Sequence, residues 1–292
     1  MVGCGKNKRP ATGTEKEPPA VMFSLPEIPE ILTEEADRFI YLALHFWDNY
    51  HFQDTAYLTQ KEMTERAFAD YMELLRFIPE NNAVASVNIM LARAESGNGT
   101  VSYFSGLFDK YLNDPNSPVR NEKLYIPVLE YILVSPSVSE TEKIRSEYQL
   151  ERALKNRPGT KAANITITLA DGRKSTLYDI KSRYILLYFN NPDCSACKEV
   201  KAGISDSSLL SRLIDDGTIT VFAVYPDEDI KAWRDHLPEM PPKWVSGYDS
   251  GLEIRKKETY NLPAIPSIYL LDADHTVIVK DALSIGMLEE YL

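Results

Sequence analysis

In the first half of this chain apolar residues recur every three or four positions, whereas in the second half they alternate or run together between turn residues. The first spacing lines one face of a helix and the second builds strands. From about residue 25 to residue 157 the pattern predicts five or six packed helices. The first has Thr33 as N-cap, Glu34 and Glu35 at the positive end of the helix dipole, and the stripe Ala36, Phe39, Ile40, Ala43, Phe46 and Trp47. A second starts at Thr59, with Glu62 at capping-box spacing, and carries Met63, Ala67, Tyr71, Leu74, Leu75 and Ile78 up to Pro79. Further helices are expected over 83–93, 101–112, 121–133 and 139–156, separated by Gly97-Asn98-Gly99, Asp114-Pro115-Asn116 and Ser135-Pro136. Pro127 lies inside the fifth, where it removes a backbone donor and either kinks or starts the helix.

After Arg157-Pro158-Gly159 the texture changes. Residues 165–169 alternate like a half-buried strand, and Asp171-Gly172 supplies a turn. Residues 184–189 form a continuous apolar run suited to a buried central strand, followed by a helical stretch through Ile214. Strands are then expected over 218–225, 243–248, 267–271 and 276–280, with helices over 228–236, 252–260 and 284–292 between and after them. The chain therefore reads as a polar tether over 1–24, an all-helical domain over 25–157 and an α/β domain over 158–292. A length of 292 residues is more than one compact core usually holds, which agrees with two folded domains.

Charge narrows the partners. With 32 basic against 43 acidic residues, the formal charge of -11 repels phosphate backbones, and the densest basic stretch, Lys6 to Arg9, sits in the polar tail, so no nucleic-acid partner is expected. No run approaches the roughly 20 apolar residues that span a bilayer. The aromatic residues of the helical half fall at helical spacing and read as core, and His45 and His51 lie six apart, not at the i, i+4 spacing of a helical metal pair.

Three cysteines are too few for a disulfide scaffold at this size, and two of them form one Cys-x-x-Cys, Cys194 and Cys197, where the buried strand gives way to a helix. At a helix N-terminus the unpaired backbone donors and the dipole stabilise a thiolate, and a second cysteine one turn later closes a disulfide with it. Cys194 is therefore the expected attacking thiol and Cys197 the resolving one. Lys198 has two readings, an electrostatic aid or an exposed helix lysine. The third cysteine, in Val2-Gly3-Cys4-Gly5, stands where a bacterial lipoprotein signal would leave its lipidated residue, and the Lys, Pro, Thr and Glu that follow suit a tether. The alternative is an accidental cysteine in a truncated or cytosolic chain.

These residues resemble the thioredoxin superfamily, and more closely its TlpA/ResA-like branch of envelope thiol-disulfide oxidoreductases. The resemblance covers about residues 163–292 and rests on the strand 184–189, on Cys194-Ser195-Ala196-Cys197 and on Ala264-Ile265-Pro266-Ser267 ahead of the next strand. It implies a thioredoxin-like α/β fold, a cis Pro266 facing the disulfide, and an Ile265 backbone offered to bound substrate. It also implies protein thiols or disulfides as substrates, an upstream redox partner, and no cofactor beyond the redox-active pair. The helical half looks like the uncharacterised helical domain found ahead of thioredoxin folds in some bacterial lipoproteins, so a two-domain protein tethered through Cys4 to a cell-envelope membrane, facing the periplasm or the surface, is expected. The sequence departs from the family at two points. Tyr188 stands where thioredoxins carry a buried aspartate, and Asp193 replaces the tryptophan before the motif. Asp193 reads as a modulator opposing the helix dipole or as a turn residue after Pro192.

Other readings remain at this point. A peroxiredoxin-type peroxidase calls for threonine three residues before its cysteine, where this chain has Asn191. A binding module would use the fold as a scaffold, against which the intact cysteine pair argues. A metal site on Cys194 and Cys197 would need further ligands, and only His236 and His275 lie in the same half. Reduction, oxidation and isomerisation use the same two sulfurs, so the direction of transfer stays open.

Overall fold

The computed structural model describes residues 23–292, so Cys4 and nearly all of the expected tether lie outside the described residues. The chain divides into two compact units, 1–107 and 108–292. The first is helical: α1 (Glu35–His45), α2 (Thr55–Thr59), α3 (Lys61–Leu74), α4 (Glu80–Ala94) and α5 (Thr100–Phe108), whose last residue belongs to the second unit. Its core is aromatic. Around the ring of Trp47 stand Phe46 at 5.2 Å, Tyr50 and Phe104 at 5.3 Å, and Tyr71 at 5.5 Å, most of them edge to face. Tyr71, fully buried, shares its hydroxyl with Ser86 at 2.7 Å, and Ser86 donates to the Ala43 carbonyl at 2.6 Å, so two hydroxyls enter the core fully bonded. Gly97 is needed where it stands, because a Cβ there would meet the Phe52 carbonyl oxygen at 2.0 Å.

Two expected caps are not formed. The N-cap of α1 is Glu34, without a side-chain cap bond, rather than Thr33, and Ala36 at the head of the apolar stripe is exposed. Thr59 ends α2 instead of capping the next helix, because Gln60 leaves the helical region with ψ 62° and starts α3 itself. The short α2 was hidden by this merging, and seven α-helices precede the first strand among the described residues, not five or six.

In the second unit a π-helical turn, Asp109–Asn113, continues α5. It leads to α6 (Glu122–Val134) and α7 (Glu140–Ala153). Asn121 caps α6 by accepting from the amides of Lys123 and Leu124, and Ser139 with Glu142 forms a capping box on α7. Pro127 lies inside α6 and does not begin it. The strands are β1 (Thr166–Leu169), β2 (Lys174–Thr176), β3 (Tyr184–Phe189), β4 (Ile219–Tyr225), β5 (Val245–Tyr248), β6 (Ser267–Asp272) and β7 (Val277–Val279), in the order β2-β1-β5-β4-β3-β6-β7. β3 pairs parallel with β4 and antiparallel with β6, and β4 pairs parallel with β5, giving a mixed sheet with β4 in the middle and β3 beside it.

The apolar run of β3 divides by the period of two. Ile185, Leu187 and Phe189 join one core with Phe222, Val224, Tyr269 and Leu271, while Leu186 and Tyr188 face the opposite core with Val221, Ala223, Ile268 and Leu270. Helices α8 (Ser195–Asp206), α9 (Ser208–Asp215) and α12 (Ile285–Glu289) cover the second face through Ile204, Leu210 and Leu288. The expected single helix through Ile214 is broken at Ser207, which caps α9 by accepting from the Leu210 amide. Two short helices remain, α10 (Ile230–His236) and α11 (Glu253–Lys256). The last is shorter than expected because Leu252 (φ 52°) and Glu258 (φ 46°) take left-handed backbone on either side of it.

The texture change sits between the end of α7 at Ala153 and the start of β1 at Thr166, whereas the division into compact units falls earlier, at Leu107. The polar contacts within the second unit give the reason. The Lys280 ammonium, at the end of β7, donates to the Ala153 and Lys155 carbonyls at 2.8 Å each and to Glu122 at 2.6 Å, and Arg120 pairs with Asp281 at 2.6 Å. These bonds fasten α6 and the end of α7 to the sheet.

Candidate redox site

β3 ends at Phe189, and the loop Asn190 to Asp193 turns the chain into α8. Asn191 builds that turn. Its side-chain oxygen accepts from the Asp193 amide at 3.0 Å, and its carbonyl accepts from the Cys194 amide at 3.2 Å. Its side-chain nitrogen donates to Asp227 at 2.8 Å, a carboxylate that Arg255 holds at 3.0 Å. The turn delivers Cys194 as the N-cap of α8, with extended backbone (φ -88°, ψ 117°), and its sulfur accepts from the Cys197 amide at 3.1 Å. A cap residue that is a thiol places its sulfur among the unpaired amides of the first turn.

The two sulfurs have unequal surroundings. Cys194 is partly exposed, and its thiol donates to the Ile265 carbonyl at 3.4 Å. The Ile265–Pro266 peptide is cis, the isomer the resemblance implies, and Ser267 opens β6 directly behind it, paired with Phe189 of β3. The sheet register therefore sets the Pro266 loop against the start of α8. Cys197 is buried at 3% exposure, accepts from the Asn191 amide at 3.5 Å, and carries a thiol that burial pushes up to about 12.

Of the other residues singled out in the sequence, Tyr188 lies within this constellation. It is buried, stands edge-on to Trp244 at 6.0 Å, and donates its hydroxyl to the Cys197 carbonyl at 2.7 Å. Burial, reinforced by the two neighbouring thiols, pushes its phenol well above the ordinary value, so at neutral pH it keeps its proton. Asp193 is exposed on the turn, and Lys198 is an exposed residue of α8 at the rim of a cavity of about 30 Å³ behind Cys197. In the sequence Asn191 stands out only as the residue where a peroxiredoxin-type motif would have threonine. The Asn-Pro-Asp run Asn191-Pro192-Asp193 is a turn signal that would have drawn attention to it. His236 also borders the cavity, brought there by α10 from forty residues along the chain, and no local pattern marks it.

A mixed sheet of this order, a Cys-x-x-Cys capping the helix after the inner strand β3, and a cis-proline loop opposite define a thioredoxin-like protein. The chain belongs to the family described as a domain of unknown function, DUF5106, whose family model matches residues 3–156. A solved thioredoxin-like protein from Bacteroides caccae ATCC 43185 is 43% identical and superposes with a TM-score of 0.89, over 93% of this chain and 98% of its own. The thiol-disulfide oxidoreductase ResA of Bacillus thuringiensis subsp. konkukian (strain 97-27) is 29% identical over 136 residues, 46% of this chain and 76% of that relative. Thiol-disulfide oxidoreductases are thus among the relatives of this chain.

Proposed function

We propose that this protein is a thiol-disulfide oxidoreductase that exchanges disulfides with other proteins through Cys194 and Cys197. The observation that carries this reading is the unequal placement of the two sulfurs. Cys194 is accessible, caps α8 and faces the cis-proline loop, while Cys197 is buried one turn behind it. In the reductive direction the Cys194 thiolate attacks a substrate disulfide and releases one substrate sulfur as a thiol. Cys197 then attacks the Cys194 sulfur, releasing the second substrate thiol and leaving an internal disulfide. Oxidation runs the same steps backwards, and the reduction potential of the pair selects between them.

The Ile265 carbonyl, beside the cis peptide and within reach of the Cys194 sulfur, suits the backbone of an extended polypeptide held against the site. Lipidation of Cys4 would tether the protein to a cell-envelope membrane, with a further redox protein supplying or accepting electrons, a reading supported by the lipobox-like run Val2-Gly3-Cys4 and the polar stretch after it. The test is trapping. Cys197→Ala should accumulate a mixed disulfide with substrate protein through Cys194, seen by non-reducing mass analysis, and Cys194→Ala should not. Equal trapping by both variants, or by neither, would remove the assigned roles.

A further inference from the structure

Resolution of the mixed disulfide requires Cys197 as a thiolate, yet its thiol is buried and burial holds it protonated. A group must take that proton. Tyr188, in the position of the usual buried acid, cannot, since its own hydroxyl proton is directed at the Cys197 carbonyl. Asp193 points to no better answer, because it lies on the exposed turn and does not border the space behind Cys197. That space is a cavity of about 30 Å³ bordered by Cys197 and, on the side of α10, by His236. Its volume gives room for a water molecule or two, and although its lining is mostly apolar, Asn190, Lys198 and His236 on it can bond such water.

One nitrogen of the imidazole is left free to accept. His236 Nδ1 lies 2.9 Å from the Ala232 carbonyl oxygen, which can only accept, so Nδ1 carries the hydrogen and Nε2 of the neutral ring is left as the acceptor. The other charged groups near the cavity suit the task less well. Lys198 and Lys201 of α8 are ammonium donors without a lone pair, Glu239 is exposed and lies 3.6 Å from Lys201, and Asp235 beside His236 is paired with Lys231 at 2.7 Å.

We infer that His236 takes the proton of Cys197 through water held in this cavity, so that the resolving thiolate forms as it attacks. This rests on the reading of Cys197 as the resolving cysteine. In the step, the Cys197 S–H bond breaks and its proton passes by way of the water to His236 Nε2. The Cys197 sulfur bonds to Cys194, and the bond between Cys194 and the substrate sulfur breaks. The substrate leaves as a thiolate, reduced by the electron pair that the two cysteines lose in forming their disulfide. In the oxidative direction the imidazolium returns the proton to Cys197.

The test is a single-turnover reaction of the fully reduced protein with the chromogenic disulfide of thionitrobenzoate. The first release of coloured thiol reports attack by Cys194, and the second reports resolution by Cys197; Cys197→Ala identifies the second phase by removing it. His236→Asn keeps a donor for the Ala232 carbonyl but has no ring acceptor. It should slow the second phase by about 10²-fold near neutrality and make it rise more steeply with pH, as bulk base takes over, with the first phase intact. Glu239→Gln should leave both phases within about two-fold, the small change general acid–base catalysis allows a bystander. An unchanged second phase in His236→Asn, a loss that is the same at every pH, or an equal or larger loss in Glu239→Gln would overturn the proposal. If wild-type protein shows no second release, it is the oxidoreductase reading itself that fails.

Discussion

Two of the places where the sheet-bearing unit buries reactive or charged groups are treated in opposite ways. At the end of β7 the Lys280 ammonium has three acceptors for its three hydrogens, one from Glu122 and two from carbonyls near the end of α7. Behind the start of α8 the Cys197 thiol has one long bond from the Asn191 amide and a cavity at its back. Burial acts on both, lowering Lys280 and raising Glu122, Asp281 and Cys197 from their ordinary values. A fully bonded charge is a fastener, since removing one partner strands the others. A buried thiol with room beside it is a group left able to change its bonds.

This contrast can be broken at three points, the largest effect first. An exposed cysteine has a pKa near 8.5 and Cys197 near 12, so at neutral pH Cys197 of the reduced protein should react with iodoacetamide about 10³-fold more slowly than a free cysteine. Peptide mapping after brief labelling should find the label on Cys194 well before Cys197, and comparable labelling of the two would deny the asymmetry. Next, Lys280→Met strands the Glu122 carboxylate and two carbonyls, and should cost about 3–5 kcal/mol in urea unfolding while leaving the cysteines and their order of labelling as they are. A loss under about 1 kcal/mol, the worth of an exposed pair, would mean that the knot is peripheral. The smallest effect is expected of Tyr188→Phe, which deletes the 2.7 Å bond to the Cys197 carbonyl and should cost about 1 kcal/mol, again by urea unfolding. Because the phenol keeps its proton, disulfide exchange should persist in this variant, and its abolition would make Tyr188 part of the chemistry.

What the sequence makes legible divides along the same line. The apolar run of β3, the Cys-x-x-Cys after it and the proline ahead of β6 are local patterns, and all three lie where the fold brings strand, helix start and loop together. Two short elements escape notice, β2 and α2, which show no period along the chain, and the break at Ser207 depends on one cap bond. The unit boundary at Leu107 escapes for another reason, since Lys280 meets Glu122 across more than a hundred and fifty residues of chain and no pattern along the sequence reports such a pair. His236 is hidden in the same way. Along the chain it has no neighbour that marks a role, and it comes to share a cavity with Cys197 only once α10 has packed on the sheet.

The central claim is that Cys194 and Cys197 form one reversible redox pair, and an equilibrium titration of the full chain in defined thiol buffers tests it most directly. Free thiols are alkylated and counted by mass at each potential. The account predicts a single two-electron transition in which both cysteines are lost and regained together, between the roughly -270 mV of a reductant such as thioredoxin and the roughly -120 mV of a strong disulfide donor. Persistence of both thiols across that range, or oxidation of one without the other, would contradict it.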